Sequence, residues 1–332
     1  KKTKATGFFR VEKIDGKWWF VDPEGYLFFS TGSCGVRPRN DFARVPGREY
    51  IYAALPPAEL GTSFYSWNLF RRYGADWNQK WMDFTVKRLN NWGFNTIGNW
   101  SDTTLENRHQ MAYVATLNGW GIETGIMGMP DVYSPEFAKN VDAAAARQCA
   151  PQKKDPYLLG YFIGNELPWP GRESELVNQI IAGSETPMQV ALKKYLEGGD
   201  TPELRRAFIY ESYSIFLSTI NSAVKKHDPN HLNLGIRYGG SPPDDIIKAS
   251  KGFDVFSLNI YGYSANERTF QKITDFTGLP IVIGEFHFGT PSRGLAPGLA
   301  QVTSQEERGV AYRYDVENAA ANPALIGTHW FI

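Results

Sequence analysis

The sequence predicts an α/β protein: a (β/α)8 TIM barrel entered through a short N-terminal β-hairpin. Three observations carry this expectation. Short apolar, β-rich runs alternate repeatedly with longer helical patterns, as in βα units around a parallel sheet. Turn signals crowd the first stretch of chain, as a hairpin requires. Polar residues, glutamates above all, stand at the ends of the apolar runs, where a barrel presents side chains to a ligand.

Taken in order, GFFRVEKIDGKWWFVDPEGYLFFS, beginning at Gly7, reads as short strands turning at Asp15-Gly16 and again at Pro23-Glu24-Gly25. Residues 1–25 are assigned to a hairpin extension and 26–332 to the barrel. Eight strands are expected at 26–32, 96–100, 121–128, 158–164, 232–237, 255–260, 281–286 and 325–330. Helical patterns cover 78–92, 104–118, 135–148, 203–227, 243–250, 265–277 and 305–322. No eighth helical pattern follows the last strand, and an open barrel end would expose apolar strand surface, so a truncated chain is expected. The connections 36–76 and 167–202 are long and follow strands, where barrel enzymes build their sites.

With 332 residues and 42% hydrophobic content the chain can bury a large core. Its 35 Lys and Arg balance 35 Asp and Glu, so no net field draws it to nucleic acid or to an anionic membrane. The 10 Trp and 17 Tyr are mostly core, yet such flat amphipathic rings also stack on sugars. Cys34 and Cys149 carry no metal or redox spacing, and the 5 His lack an HExxH pattern, so neither a metal nor another cofactor is expected. No apolar stretch approaches the ~20 residues of a membrane span, and KKTKATGFF shows no signal-peptide core.

The sharpest chemical signal is GYFIGNE, an apolar run ending in Asn165 and Glu166 on the fourth expected strand. The second is PIVIGEFHFG, which carries Glu285 on the seventh. Strands four and seven lie across the barrel mouth from one another, so the two acids can face each other. Retaining hydrolysis of a glycosidic bond needs such a pair, one carboxylic acid to protonate the leaving oxygen and one carboxylate to attack the anomeric carbon, roughly 5–5.5 Å apart.

The Asn-Glu ending on strand four and the acid on strand seven resemble the retaining glycosidases of clan A. A narrower resemblance runs through FFRVEKIDGKWWFVDPEGYLFFSTG, GVR, GFNTIGNW, GYFIGNE, IGEFHFG and GTHWF, which look like the catalytic barrel of the β-agarases of glycoside hydrolase family 50. The resemblance implies Glu166 as acid/base, Glu285 as nucleophile, Asn165 on the sugar 2-hydroxyl, an agarose-type galactan as substrate and no catalytic metal. Members of that family commonly carry a β-sandwich before the barrel, where this chain has only the hairpin. The insertion 168–202, beside the expected acid/base, also bears on which polysaccharide fits.

Arg37, Asn99, Arg237, Asn259, Tyr261, His287 and His329 are further substrate-binding candidates at strand ends. Tyr261 is expected to donate to Glu285. His287 lies two residues beyond that acid, so strand alternation turns it to the same side. Of His329 and Trp330 only one can face inward, and the clan resemblance favours Trp330 as the floor beneath the cleaved sugar. Trp169, in the Leu167-Pro168-Trp169-Pro170 turn, is expected as a stacking platform. Alternative readings are the same chemistry on porphyran, a carrageenan or a plain β-galactoside, and a carbohydrate-binding barrel without catalysis. An extracellular or periplasmic location follows only from the polymer class.

Overall fold

The structure is a computed structural model that describes residues 1–39, 43–263, 266–294 and 296–331. The chain opens with an antiparallel sheet of β1 (Arg10–Ile14), β2 (Lys17–Val21) and β3 (Leu27–Phe28). Asp15 (φ 51°) and Gly16 (φ 84°) turn β1 into β2, with Ile14 opposite Lys17, the two-residue turn the Asp-Gly pair predicts. The expected strand 26–32 is split, its first part completing this sheet and its second, β4 (Ser30–Ser33), entering the barrel.

After β4 come α1 (Phe64–Tyr73), α2 (Trp77–Asn91), β5 (Thr96–Ile97), α3 (Thr103–Glu106) and β6 (Ala112–Thr116). Then follow α4 (Phe137–Cys149), β7 (Leu158–Phe162), β8 (Gly164–Asn165), α5 (Glu173–Ala182), α6 (Pro187–Tyr195) and α7 (Pro202–His227). The chain continues through β9 (Leu232–Asn233), β10 (Ile236–Gly239), α8 (Asp244–Ala249) and β11 (Phe256–Asn259). It closes with α9 (Glu267–Thr277), β12 (Ile281–Phe286), α10 (Gln305–Ala321) and β13 (Leu325–Trp330).

The strands β4, β5, β6 and β7 pair in parallel, as do β10, β11, β12, β13 and β4. The ring shuts where β7 pairs β9 and β8 pairs β10. Since β7 and β8 are one strand interrupted at Ile163, and β9 and β10 one strand kinked at Leu234-Gly235, eight strand positions form a closed parallel barrel. Gly235 allows the kink: its φ is 77°, and a Cβ there would stand 2.7 Å from the Phe253 ring.

Two expectations change. Residues 104–118 were expected as a helix and 121–128 as the third strand; the chain instead makes the short helix α3, reverses at His109 (φ 51°) and enters β6. The 121–128 stretch holds only an isolated Ile126 to Met129 bridge. Its Gly125 is pressed against the backbone, a Cβ there lying 2.4 Å from the Met129 carbonyl, which suits a tight turn better than a barrel wall. The expected helix 265–277 is described from Glu267 onward, Ala265 lying outside the described residues. Among the described residues no helix follows β13.

Inside the barrel, Phe162, Leu159, Val114, Leu232, Leu234, Val255, Val282 and Ile326 form one apolar cluster that Phe9 and Phe20 of the hairpin sheet complete. The hairpin therefore plugs the end where the strands begin. Trp18 N–H to the Pro323 carbonyl (2.8 Å) fastens it to the approach of β13. With that end stoppered, the barrel interior opens at the mouth formed by the strand C-termini.

Candidate active site

Glu285 reaches the mouth through an irregularity in its strand. Leu258 of β11 pairs with Ile283 while Asn259 pairs with Glu285, so β12 carries one extra residue, Gly284, at this point. A Cβ on Gly284 would come within 2.9 Å of Asn259 Oδ1 and 3.1 Å of Arg237 Nε, so glycine is what lets these side chains close over the strand. Glu285 is 5% exposed, and its carboxylate collects three donors. Arg237 Nη2 (2.6 Å) and Trp100 Nε1 (3.1 Å) donate to Oε1, and the Tyr261 hydroxyl (2.5 Å) donates to Oε2. Two N–H groups and an O–H aimed at one carboxyl form a set that complements the anion. Burial, then the Glu285 hydrogen bond, pushes the Tyr261 phenol well above its usual range, so it remains a protonated donor.

Arg237 is wholly buried beneath this carboxyl. It also donates to the Gly284 carbonyl (2.8 Å), and its guanidinium carbon lies 5.1 Å from the Phe162 ring centroid and 5.6 Å from that of Trp100. A cation buried between aromatic faces and one carboxylate is stabilised by both, and removing one member of the pair would leave the other's charge uncompensated.

Glu166 is exposed, directly after β8, in the left-handed region at φ 42°. Asn259 Nδ2 donates to its Oε1 (2.8 Å) and also to Asn165 Oδ1 (3.2 Å), while Arg237 Nε donates weakly to Asn259 Oδ1 (3.4 Å). One polar chain thus runs from Glu285 through Arg237 and Asn259 to Glu166. Trp100, at φ 67°, is a second non-glycine residue held left-handed at the rim. Such conformations cost about 1–3 kcal/mol each and persist where the surroundings over-determine them.

Glu166, Glu285, Asn165, Asn259, Tyr261, Trp100, Ile260, Leu299 and Phe331 line a single open cleft of about 730 Å³ with Gly239 and Gly240. The sequence candidates divide accordingly. Glu166, Glu285, Asn165, Asn259 and Tyr261 meet in the cleft, and Arg237 supports it from below.

The others lie elsewhere. Trp169 is no stacking platform: it is fully buried, edge-on to Tyr213 of α7 at 4.9 Å, because the Leu167–Pro170 turn folds inward under the helices. His329, not Trp330, faces the barrel axis, buried with Nε2 2.9 Å from Ser30 Oγ, too deep to meet a sugar. Burial, then the Arg237 charge, pushes its pKa down to about 3, so it is neutral. Trp330 therefore turns outward among Phe286, Tyr312 and Arg308 and is not the floor of this cleft. His287, two residues beyond Glu285, does turn to the same side, its ring centroid 4.6 Å from that of Tyr261, but with Trp330 it lines an adjoining cleft. Asn99 is buried outside the carboxylate cleft, its amide without a partner among the described residues. Arg37 borders a separate depression beside α2.

Trp100 and Phe331 were missed. Asn99 and Trp100 both close the apolar run of β5, and the left-handed turn at Trp100 (φ 67°) that brings its ring over the carboxylate leaves no mark in the sequence. Among the described residues no cluster of His, Cys, Asp and Glu has the makings of a metal site, and no helix is long and apolar enough to cross a membrane.

The class defined so far is a parallel (β/α)8 barrel with two glutamates in one cleft at its open mouth. Comparison with known proteins narrows it: the chain is related to β-agarases along nearly its whole length. It is 30% identical to β-agarase B of Vibrio sp. (strain JT0107), an alignment that takes in 99% of this chain and 44% of that protein. The crystal structure of an agarase superposes with a TM-score of 0.85 at 28% identity, covering 100% of this chain and 57% of the other. The structure of an exo-β-agarase matches at 0.84 and 26% identity, covering 100% and 60%. The chain thus spans less than half of that curated relative. No protein-family profile matches it.

Proposed function

We propose that the chain is a retaining glycoside hydrolase that cleaves β-galactosidic links in an agarose-type galactan by double displacement. The observation that carries this reading is the meeting of Glu166 and Glu285 in one cleft, the first exposed with one oxygen engaged, the second buried beneath three donors. A Glu285 oxygen attacks the anomeric carbon while Glu166 gives its proton to the departing glycosidic oxygen. Glu166, now a carboxylate, then takes a proton from water, whose oxygen attacks the same carbon and releases Glu285. Two inversions leave the anomeric configuration unchanged.

Arg237, Trp100 and Tyr261 fix the Glu285 carboxylate in position before substrate arrives, which lowers the reorganisation needed in the transition state. Asn165 is assigned to the 2-hydroxyl and Asn259 to orienting Glu166. The β-agarases to which the chain is related support the galactan, and an extracellular or periplasmic location follows from that polymer.

The test replaces Glu285 by Ala and Glu166 by Gln and follows hydrolysis of agarose oligosaccharides. Turnover should fall by several orders of magnitude in each, and a 2-fluoro galactoside should label the unmutated chain on Glu285. Undiminished turnover in either variant removes the assignment.

A further inference from the structure

Beside the carboxylate cleft, and sharing Phe331 with it, lies a second cleft of about 400 Å³ lined by His287, Thr290, Gln305, Arg308, Trp330 and neighbouring loop backbone. It opens at the same rim, between the ends of β12 and β13 and the start of α10. Arg308 is half-buried there and held on three sides. Its Nε donates to the Phe288 carbonyl (2.7 Å), its Nη1 donates to Gln305 Oε1 (3.0 Å), and its guanidinium carbon lies 5.4 Å from the Trp330 ring centroid. Among the described residues none of the ion pairs involves it.

A guanidinium fixed by neutral acceptors keeps its full charge and a preset orientation, which is how proteins hold a compact oxyanion. The His287 imidazole registers that charge: burial and then Arg308 hold its pKa below the usual value. His287 Nε2 accepts from Leu299 N–H (2.8 Å), so the loop segment dividing the two clefts is itself fastened from this side.

We propose that this adjoining cleft is a subsite for a second sugar unit of the substrate and that Arg308 there binds an oxyanion substituent on that unit, a sulfate ester or a carboxylate. The inference rests on the hydrolase reading for its sugar chain but not for its charge preference. A single cation suits one substituent rather than a densely sulfated polymer, in keeping with the balanced charge of the whole chain.

The experiment measures binding by calorimetry, so that it does not depend on turnover. Three galactan oligosaccharides of equal length are titrated, one neutral, one with a single sulfate and one with a single carboxylate, into chains carrying Glu166→Gln with Arg308 intact, Arg308→Lys or Arg308→Gln. With Arg308 the favoured anionic ligand should bind about 10-fold tighter than the neutral one, the scale of one charge-assisted contact. The ratio should collapse towards one in Arg308→Gln, be intermediate in Arg308→Lys, and shrink with added salt when Arg308 is intact. Whichever anionic ligand carries the ratio identifies the substituent. Equal or weaker binding of both anions, or a ratio indifferent to Arg308→Gln, overturns the proposal. An intact ratio with no hydrolysis of any ligand by the unmutated chain would sink the hydrolase reading alone.

Discussion

Around Glu285 each donor has a separable job. Tyr261 touches the oxygen that neither Arg237 nor Trp100 reaches, so Tyr261→Phe removes one charge-assisted bond and leaves the ring in place. On the proposed mechanism kcat should fall about 10- to 100-fold, the scale of one hydrogen bond to a charged group, about 1.5–3 kcal/mol. Steady-state kinetics on an agarose oligosaccharide check this, and an unchanged kcat would make Tyr261 a bystander. Arg237 is a different case because it is buried whole. Arg237→Met takes away the cation that balances the Glu285 carboxylate, and urea denaturation should register a loss of about 3–5 kcal/mol. Glu166, Glu285, Asn165 and Asn259 were legible in the sequence because an acid or amide closing an apolar run is a strong local mark, and Tyr261 through its place just beyond the sixth strand. Trp100 and the exchange of His329 for Trp330 were not, because they depend on a left-handed backbone turn and on which face of β13 meets α10.

The elements were legible where one period dominated. The expected strands 281–286 and 325–330 coincide with β12 and β13, buried on both faces as parallel barrel strands are. β6 was lost because TLENRHQMAYVATLN spaces its apolar residues in a way that also satisfies a helix, and only pairing with β5 and β7 decides the matter. The hairpin announced itself through Asp15-Gly16, but its role as a plug did not, since nothing local says that Phe9 and Phe20 enter a barrel. That role makes a prediction at this scale. Phe20→Ala opens a cavity in the barrel floor and should cost about 3–5 kcal/mol. The plug lies at the opposite end from the cleft, so activity per folded molecule should stay within about 2-fold. Urea denaturation paired with an active-site-labelled assay tests both halves, and a large fall in kcat with stability intact would contradict this division of labour.

At the scale of the whole molecule, two buried groups set opposing pH slopes. Burial, then the Arg237 charge, lowers the folded pKa of His329 from 6.5 to about 3. Between those values the unfolded chain binds the proton and the folded chain does not, so stability drops as pH falls below 6.5. Asp315 of α10, 5% exposed with Oδ2 unpartnered among the described residues, is raised by burial from 3.8 to about 6. There the folded chain binds the proton first, so stability drops as pH rises from 3.8 to 6. In that shared window the two slopes, each about 1.4 kcal/mol per pH unit, nearly cancel. Asp315→Asn removes one and exposes the other. The variant should exceed the natural chain by on the order of 2–3 kcal/mol above pH 7, with the gap closing to nothing near pH 4. Urea unfolding of both chains at half-unit steps from pH 4 to 8 measures the gap directly. If the two curves run parallel throughout, Asp315 ionises in the folded chain as it does in water, and the burial drawn for α10 on the barrel wall is wrong.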